Sequence, residues 1–188
     1  MKTPSLALLL SLVGVVSLHA GIDLTPVPGE RVLEGIKFPQ LNFQQNGRRI
    51  TYEQPRGWTY AGGGSRISFT PPDAPQAQAE INQSPLPAPQ SFDEETMKLL
   101  RAKTLAAVPP DSQNTVLVSE EKNPLRIANH ETYAVTVSYS AGGQEFMTSI
   151  LYLNLPDTQL RFRTTARKGD FEKVHGAFRG SNFSWQWK

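Results

Sequence analysis

Three consecutive stretches in the second half of the chain alternate between apolar and polar residues, and they restrict the fold more than any other feature. Side chains alternate between the two faces of a β-strand, so each stretch predicts a strand with one apolar face. The middle stretch is apolar at every position from Ile150 to Leu153, which is typical of a central strand covered on both faces. Turn sequences at 141–143 and 155–158 separate the stretches. The pattern predicts a meander of three long antiparallel strands, at residues 132–139, 146–153 and 160–165.

One helix is predicted before this meander and one after it. Ser91 and Glu94 form a capping box that predicts the start of the first helix, and Pro109 ends it. The second helix is predicted from Asp170 to Phe183. Its apolar residues at helical spacing are Phe171, Val174 and Phe178. Antiparallel strands with separate helices predict an α+β fold, an antiparallel β-sheet sandwiched or flanked by helices.

The first half of the chain contains two hairpin signals. Asn46-Gly47 lies between two alternating stretches, and both residues tolerate the positive φ of a type I′ turn. Glycines 62–64 form the predicted turn of a second hairpin. With 38% hydrophobic and 19% charged residues, the composition predicts one compact domain. We therefore divide the chain into a signal peptide (1–20), an extended leader (21–40) and a single α+β domain (41–188).

The signal peptide hypothesis depends on the first twenty residues. Lys2 is followed by an apolar run from Leu6 to Leu18, whose 13 residues are too few to span a bilayer. Small residues then allow cleavage after Ser17 or after Ala20, and an uncleaved membrane anchor is the alternative. We expect an exported protein, periplasmic or secreted. The chain has no cysteine, so it carries neither disulfides nor a lipid on a thiol.

Positive charge is concentrated at the end of the chain. Residues 159–188 contain 7 Lys and Arg against 2 Asp and Glu. The last predicted strand has an apolar face and a basic face. A solvated strand face is the simpler interpretation of the basic face, and a partner-binding surface is the functional alternative. Phe162 must point away from its arginine neighbours on a strand, and with the signal peptide this argues against a nucleic-acid partner. The candidate residues are Arg161, Arg163, Arg167 and Lys168.

The sequence offers no recognisable catalytic or metal-binding motif. It contains no His-x-His pair, and Gly63-Gly64-Ser65-Arg66-Ile67 lacks the final glycine of a nucleophile elbow. We therefore assign no catalytic residue, no metal site and no cofactor. An enzyme with an unrecognised site remains an open alternative. It would be assembled from distant polar residues such as Thr136, Tyr139 and Glu145.

The order of these elements resembles the PsbP-like fold, which extrinsic photosystem II proteins share with a Ran-binding nuclear relative. The resemblance covers about residues 40–184, and it implies an α/β/α sandwich. It is carried by the segment Gln54-Pro55-Arg56-Gly57-Trp58, the helix after Ser91, the stretches 127–139, 146–153 and 160–165, and the closing helix with Phe171, Phe178 and Ser181.

Three functional hypotheses follow. The resemblance and the basic face favour an exported, non-enzymatic binding or assembly accessory protein with a protein partner. A peripheral protein on an anionic membrane surface is the first alternative, in which the basic strand acts with Trp185 and Trp187. The enzyme with an unrecognised site is the second.

Overall fold

The structure, a computed structural model, describes residues 21–188, so the signal peptide hypothesis lies outside the described residues. Eleven strands and two helices make up this part of the chain. In chain order they are β1 (Asp23–Leu33), β2 (Ile36–Gln45), β3 (Arg48–Tyr52), β4 (Thr59–Gly63), β5 (Arg66–Thr70), β6 (Gln78–Pro85), α1 (Glu94–Ala106), β7 (Gln113–Lys122), β8 (Thr132–Ala141), β9 (Gln144–Asn154), β10 (Thr158–Arg167), α2 (Lys168–Asn182) and β11 (Gln186–Trp187).

Most of the strands belong to one antiparallel sheet of seven strands, in the order β4-β5-β6-β10-β9-β8-β7. The predicted meander is confirmed, because β8, β9 and β10 are successive neighbours in this sheet. Strand β6 comes from the first half of the chain and pairs with β10, so that β10 lies in the middle of the sheet. A second, four-stranded sheet has the order β1-β2-β3-β11.

The two faces of the seven-stranded sheet are covered by different elements. Helix α2 and the four-stranded sheet cover one face, and a large hydrophobic core lies between them. Helix α1 packs on the opposite face against β7 and β8, above a smaller core. The predicted α+β fold is confirmed, with one helix on each face of the sheet. Within residues 21–188, no helix is both long enough and apolar enough to cross a membrane.

The segment 21–40, expected to be an extended leader, is instead built into the domain. It forms β1 and the first half of β2, which pair with each other in the four-stranded sheet. Ile22 and Leu24 are almost completely buried in the large core. The burial of these two side chains favours packing of the segment against the rest of the domain.

Helix α1 begins later than the capping box predicted. The N-cap is Asp93, whose side-chain Oδ1 accepts a hydrogen bond from the Thr96 backbone N at 2.8 Å. An aspartate satisfies the free N–H groups of a first turn as well as a serine does, so Ser91 is not needed as the cap. Leu100 is buried on the side of the helix that faces the sheet, whereas Leu99 is 48% exposed.

Candidate functional site

One face of the seven-stranded sheet changes from apolar to polar between β9 and β10. Beneath α1 it carries buried apolar and aromatic side chains, namely Tyr133, Val135, Val137, Ile150 and Tyr152. On β10, β6 and β5 the same face carries arginine, glutamate, asparagine and serine. Helix α1 thus covers only part of this face. The polar part is the candidate site.

Arg161 and Arg163 lie at the centre of this polar part. Arg161 pairs across the sheet with Asn82 on one side and Tyr152 on the other, and Arg163 pairs with Glu80 and Ile150. Both arginines are half-buried. The Nε atom of Arg161 is buried and has no hydrogen-bond partner among the described residues, whereas Nε of Arg163 donates to Oγ1 of Thr165 at 3.3 Å.

A third arginine reaches this face from β5. Arg66 pairs with Asn82 in the ladder, and its Nη2 lies 2.5 Å from Oε2 of Glu80. Nδ2 of Asn82 donates to the other carboxylate oxygen of Glu80 at 2.9 Å. Glu80 is 7% exposed, so its carboxylate is both buried and paired. A buried carboxylate needs such partners to remain charged.

The structure brings together three of the four predicted site residues. Arg161, Arg163 and Arg167 share one face of β10, while Phe162 points into the large core as alternation predicts. Arg167 donates a hydrogen bond to Oε1 of Gln76. Lys168 is separated from them, because it begins α2 and its Nζ is 3.2 Å from Oε2 of Glu145.

We call Arg66, Arg161, Arg163 and Arg167 the arginine face. Sequence reasoning missed Arg66, because nothing local shows that β6 joins β5 to β10. These four cations share the face with one carboxylate, that of Glu80, so the surface is strongly positive.

A short chain of hydrogen bonds fixes α1 at the border of the arginine face. The Tyr152 hydroxyl lies 2.8 Å from Oγ1 of Thr104, which itself donates to the backbone oxygen of Leu100 at 2.9 Å. Because the Thr104 proton is used in that bond, Tyr152 is the donor to Thr104. Burial raises the pKa of the Tyr152 hydroxyl, although Thr104, Arg161 and Arg163 act in the opposite direction. The hydroxyl is therefore a neutral donor at physiological pH.

The residues suggested for an unrecognised active site do not converge. Thr136 donates to Ser149 on the α2 side of the sheet, whereas Tyr139 faces the α1 side and stacks on Phe146. Glu145 is exposed and paired with Lys168. Alternation along β8 places the first two on opposite faces. The suggestion that these three residues form an active site together is therefore wrong.

The tryptophan pair proposed as membrane anchors is also wrong in part. Trp185 is fully buried in the large core, where its ring contacts Phe43, Tyr52 and Phe162. A side chain in this position cannot reach a lipid interface. Trp187 is half-buried, and its Nε1 donates to Oε1 of Gln45 at 2.6 Å. Trp185 is buried because residues 186–187 form β11, which pairs with β3 and places this ring in the large core.

His175 lies beside a small cavity between α2 and the sheet, with a volume of about 40 Å³. The His175 ring stacks on the ring of Phe171, with 5.0 Å between the ring centres. Burial, and secondarily Arg179, lowers the pKa of the His175 imidazole. Asn182 also lines the cavity, and its buried Oδ1 has no partner among the described residues.

Within residues 21–188, no three His, Cys, Asp or Glu side chains are grouped as metal ligands.

Neither a family model nor a curated protein matches this chain. Among solved structures, cyanobacterial PsbP (CyanoP) from Synechocystis sp. PCC 6803 is 13% identical with a TM-score of 0.51, covering 74% of this chain and 86% of that one. LpqN, involved in cell envelope biogenesis of Mycobacterium tuberculosis, is 13% identical with a TM-score of 0.49, covering 89% and 91%. A Bacteroides thetaiotaomicron protein is 12% identical with a TM-score of 0.45, and the match spans 74% of this chain but 45% of that one. The resemblance found in the sequence is confirmed at the level of architecture, and this chain has the PsbP-like fold.

Proposed function

We propose that this protein is an exported, non-enzymatic binding or assembly accessory protein that holds a protein partner on its arginine face. The observation that carries this proposal is the position of Arg161 and Arg163. They lie on a central strand, on sheet surface that α1 leaves uncovered. Export rests on the apolar run at residues 6–18.

A sheet face that is open to water usually carries polar side chains, so exposure accounts for polar residues on β10 but not for positive charges that lack partners. Among the described residues, neither Arg161 nor Arg163 is in a salt bridge. Positive potential on an open surface attracts an acidic partner and fixes its orientation. We therefore expect the partner to be acidic where it meets the sheet.

The test is a crosslinked pull-down of the tagged mature protein from its own exported fraction. The variant carries Arg161→Gln, Arg163→Gln and Arg167→Gln. Glutamine is preferred to glutamate because a glutamate at 163 would lie directly opposite Glu80 and destabilise the sheet. The matched control removes three other exposed arginines, Arg48, Arg56 and Arg126, in the same way. Urea unfolding of both variants verifies that each is folded.

We expect one dominant partner that the wild type and the control capture, with recovery reduced about tenfold or more in the β10 variant. Equal capture by the folded β10 variant would overturn the role of the arginine face. Capture of no protein, together with arginine-dependent binding to vesicles containing anionic lipid, would overturn the protein partner in favour of a membrane surface.

A further inference from the structure

We infer that the arginine face recognises an extended acidic segment whose carboxylates stand at alternate positions, with Arg161 and Arg163 each binding one carboxylate. This inference rests on the proposed function and specifies the chemistry of the partner. It depends on three observations: the spacing of the two arginines, their lack of acidic partners, and the borders of the surface around them.

The spacing follows from the geometry of β10. Arg161 and Arg163 are two residues apart on one strand, so their Cα atoms are separated by about 6.7 Å and their side chains leave the same face. An extended peptide repeats its own side chains at the same interval. Carboxylates at alternate positions of such a segment therefore come into register with both guanidinium groups at once.

The charges on the arginine face leave these two residues available. Arg66 is already paired with Glu80, and Arg167 at the end of the strand is bonded to Gln76. The buried Nε–H of Arg161 has no acceptor, and Arg163 has one long bond from Nε to Thr165. The Nε atom of Arg161 is closed to solvent, but both side chains are only half-buried and neither is in a salt bridge among the described residues, so a carboxylate, the strongest acceptor for a guanidinium, can bind the exposed part of each. Each arginine thus favours its own carboxylate.

The borders of the surface favour a segment that runs along β10. Helix α1 lies on one side, fixed by the bond between Tyr152 and Thr104. The Arg66–Glu80 ion pair lies on the other side. Glu80 is on β6, next to β10, and Arg66 is on β5, two strands from β10. Glu80 also repels an acidic group that moves towards β6. An extended chain over β10 avoids both borders and stays over the two arginines.

A single phosphate group fits this arrangement less well. Two side chains that leave a strand in parallel, about 6.7 Å apart, would both have to bend towards one point to share it. Ordering two long arginine side chains in such a conformation costs entropy. Two separate carboxylates allow each guanidinium to keep its own direction.

The experiment measures the binding of fluorescent peptides to the mature protein by fluorescence anisotropy. The peptides share an uncharged background of serine and threonine and carry two glutamates that are adjacent, alternate or three residues apart. A fourth peptide has glutamines at the alternate positions. Protein variants are Arg161→Gln and Arg163→Gln, with Arg126→Gln as the control on another surface. Inorganic phosphate is used as a competitor.

We expect the peptide with alternate glutamates to bind about fivefold tighter or more than either other spacing, and the glutamine peptide to show no measurable binding. Each of Arg161→Gln and Arg163→Gln should remove most of this preference, and Arg126→Gln should leave it unchanged. Equal affinity for all three spacings would overturn the inference, as would displacement of the peptide by phosphate at equal concentration. If the pull-down loses its partner in the β10 variant while the peptides show no spacing preference, the inference fails and the proposed function stands.

Discussion

The two faces of the seven-stranded sheet use the same strands for different purposes. On the face towards α2, even-numbered residues of β10 such as Phe162 are buried among the aromatic side chains of the large core. On the other face, odd-numbered residues of the same strand are the half-buried arginines 161 and 163. Neighbouring residues of this strand therefore lie in different environments. One packs in the core and stabilises the fold, and the next lies on the face that we propose for binding.

The difference indicates where substitutions are tolerated. The large core joins both sheets and α2 through aromatic rings in contact, so the removal of one ring affects several elements. The α1 side depends on a smaller group of residues, on the hydrogen bond from Tyr152 of β9 and on the ion pair of Arg101 with Glu120 of β7. The arginine face contributes little to either core. Three measurements test this difference between the two sides of the sheet.

The largest expected effect is that of Trp185→Ala. The ring is fully buried and lies 5.5 Å from Phe43 and 5.6 Å from Phe162 between ring centres. Its removal leaves a cavity that the two sheets cannot easily close, and we expect a loss of about 3–5 kcal/mol in the free energy of unfolding. Urea denaturation provides the measurement, with Trp187→Ala as the half-buried control and a clearly smaller loss. Equal losses for the two variants would show that the chain end does not close the core.

A smaller effect is expected on the α1 side for Tyr152→Phe. This change removes only the hydroxyl that donates to Thr104 and preserves the buried ring. One buried hydrogen bond of this kind contributes about 1 kcal/mol to the free energy of unfolding. The control is Tyr60→Phe, since Tyr60 is only half-buried and lies on β4, away from α1. A Tyr152→Phe protein as stable as wild type would mean that this hydrogen bond does not contribute to holding α1 on the sheet.

The smallest effect of the three is a pH dependence that originates at His175. Burial, with a smaller contribution from Arg179, lowers the pKa of its imidazole in the folded state below the ordinary value of 6.5. Below about pH 6.5 the unfolded chain therefore binds a proton that the folded chain binds less well, so stability falls as the pH decreases and levels off below the folded pKa. Unfolding free energies between about pH 8 and about pH 5 should fall more for wild type than for His175→Gln. The same slope in both proteins would show that His175 is hydrated in the folded state.

Much of the fold was predictable because its signals are local. The Asn46-Gly47 turn is confirmed, and both residues have positive φ, at 50° and 76°. The glycines at 142 and 143 form the predicted turn between β8 and β9 in the same way. Alternation also predicted that Phe162 and the arginines of β10 lie on opposite faces. These predictions require only the period of a strand and the steric freedom of a few turn residues.

The errors concern residues whose environment is decided by distant parts of the chain. Ser91 and Asp93 are both good helix caps, and the local sequence does not distinguish them. Trp185 appeared to be a free aromatic at the chain end, but β11 pairs with β3 and places it in the core. His175 lies half-buried beside a cavity lined by residues of β8, β9, β10 and α2, so its environment depends on all four elements.

Local patterns in the sequence predicted the strands of the meander, the two helices, the turns at 46–47 and 142–143 and the basic face of β10, whereas the turn expected at 62–64 lies at 64–65, because Gly62 and Gly63 pair with Ile67 and Arg66. The position of β6 beside β10, the place of residues 21–40 in the four-stranded sheet and the presence of Arg66 on the arginine face follow from the tertiary structure. The physical reason is the range of the interactions. Periodicity and turn preferences act over a few residues, whereas strand pairing and burial depend on chain segments that are far apart in sequence and meet only in the folded protein.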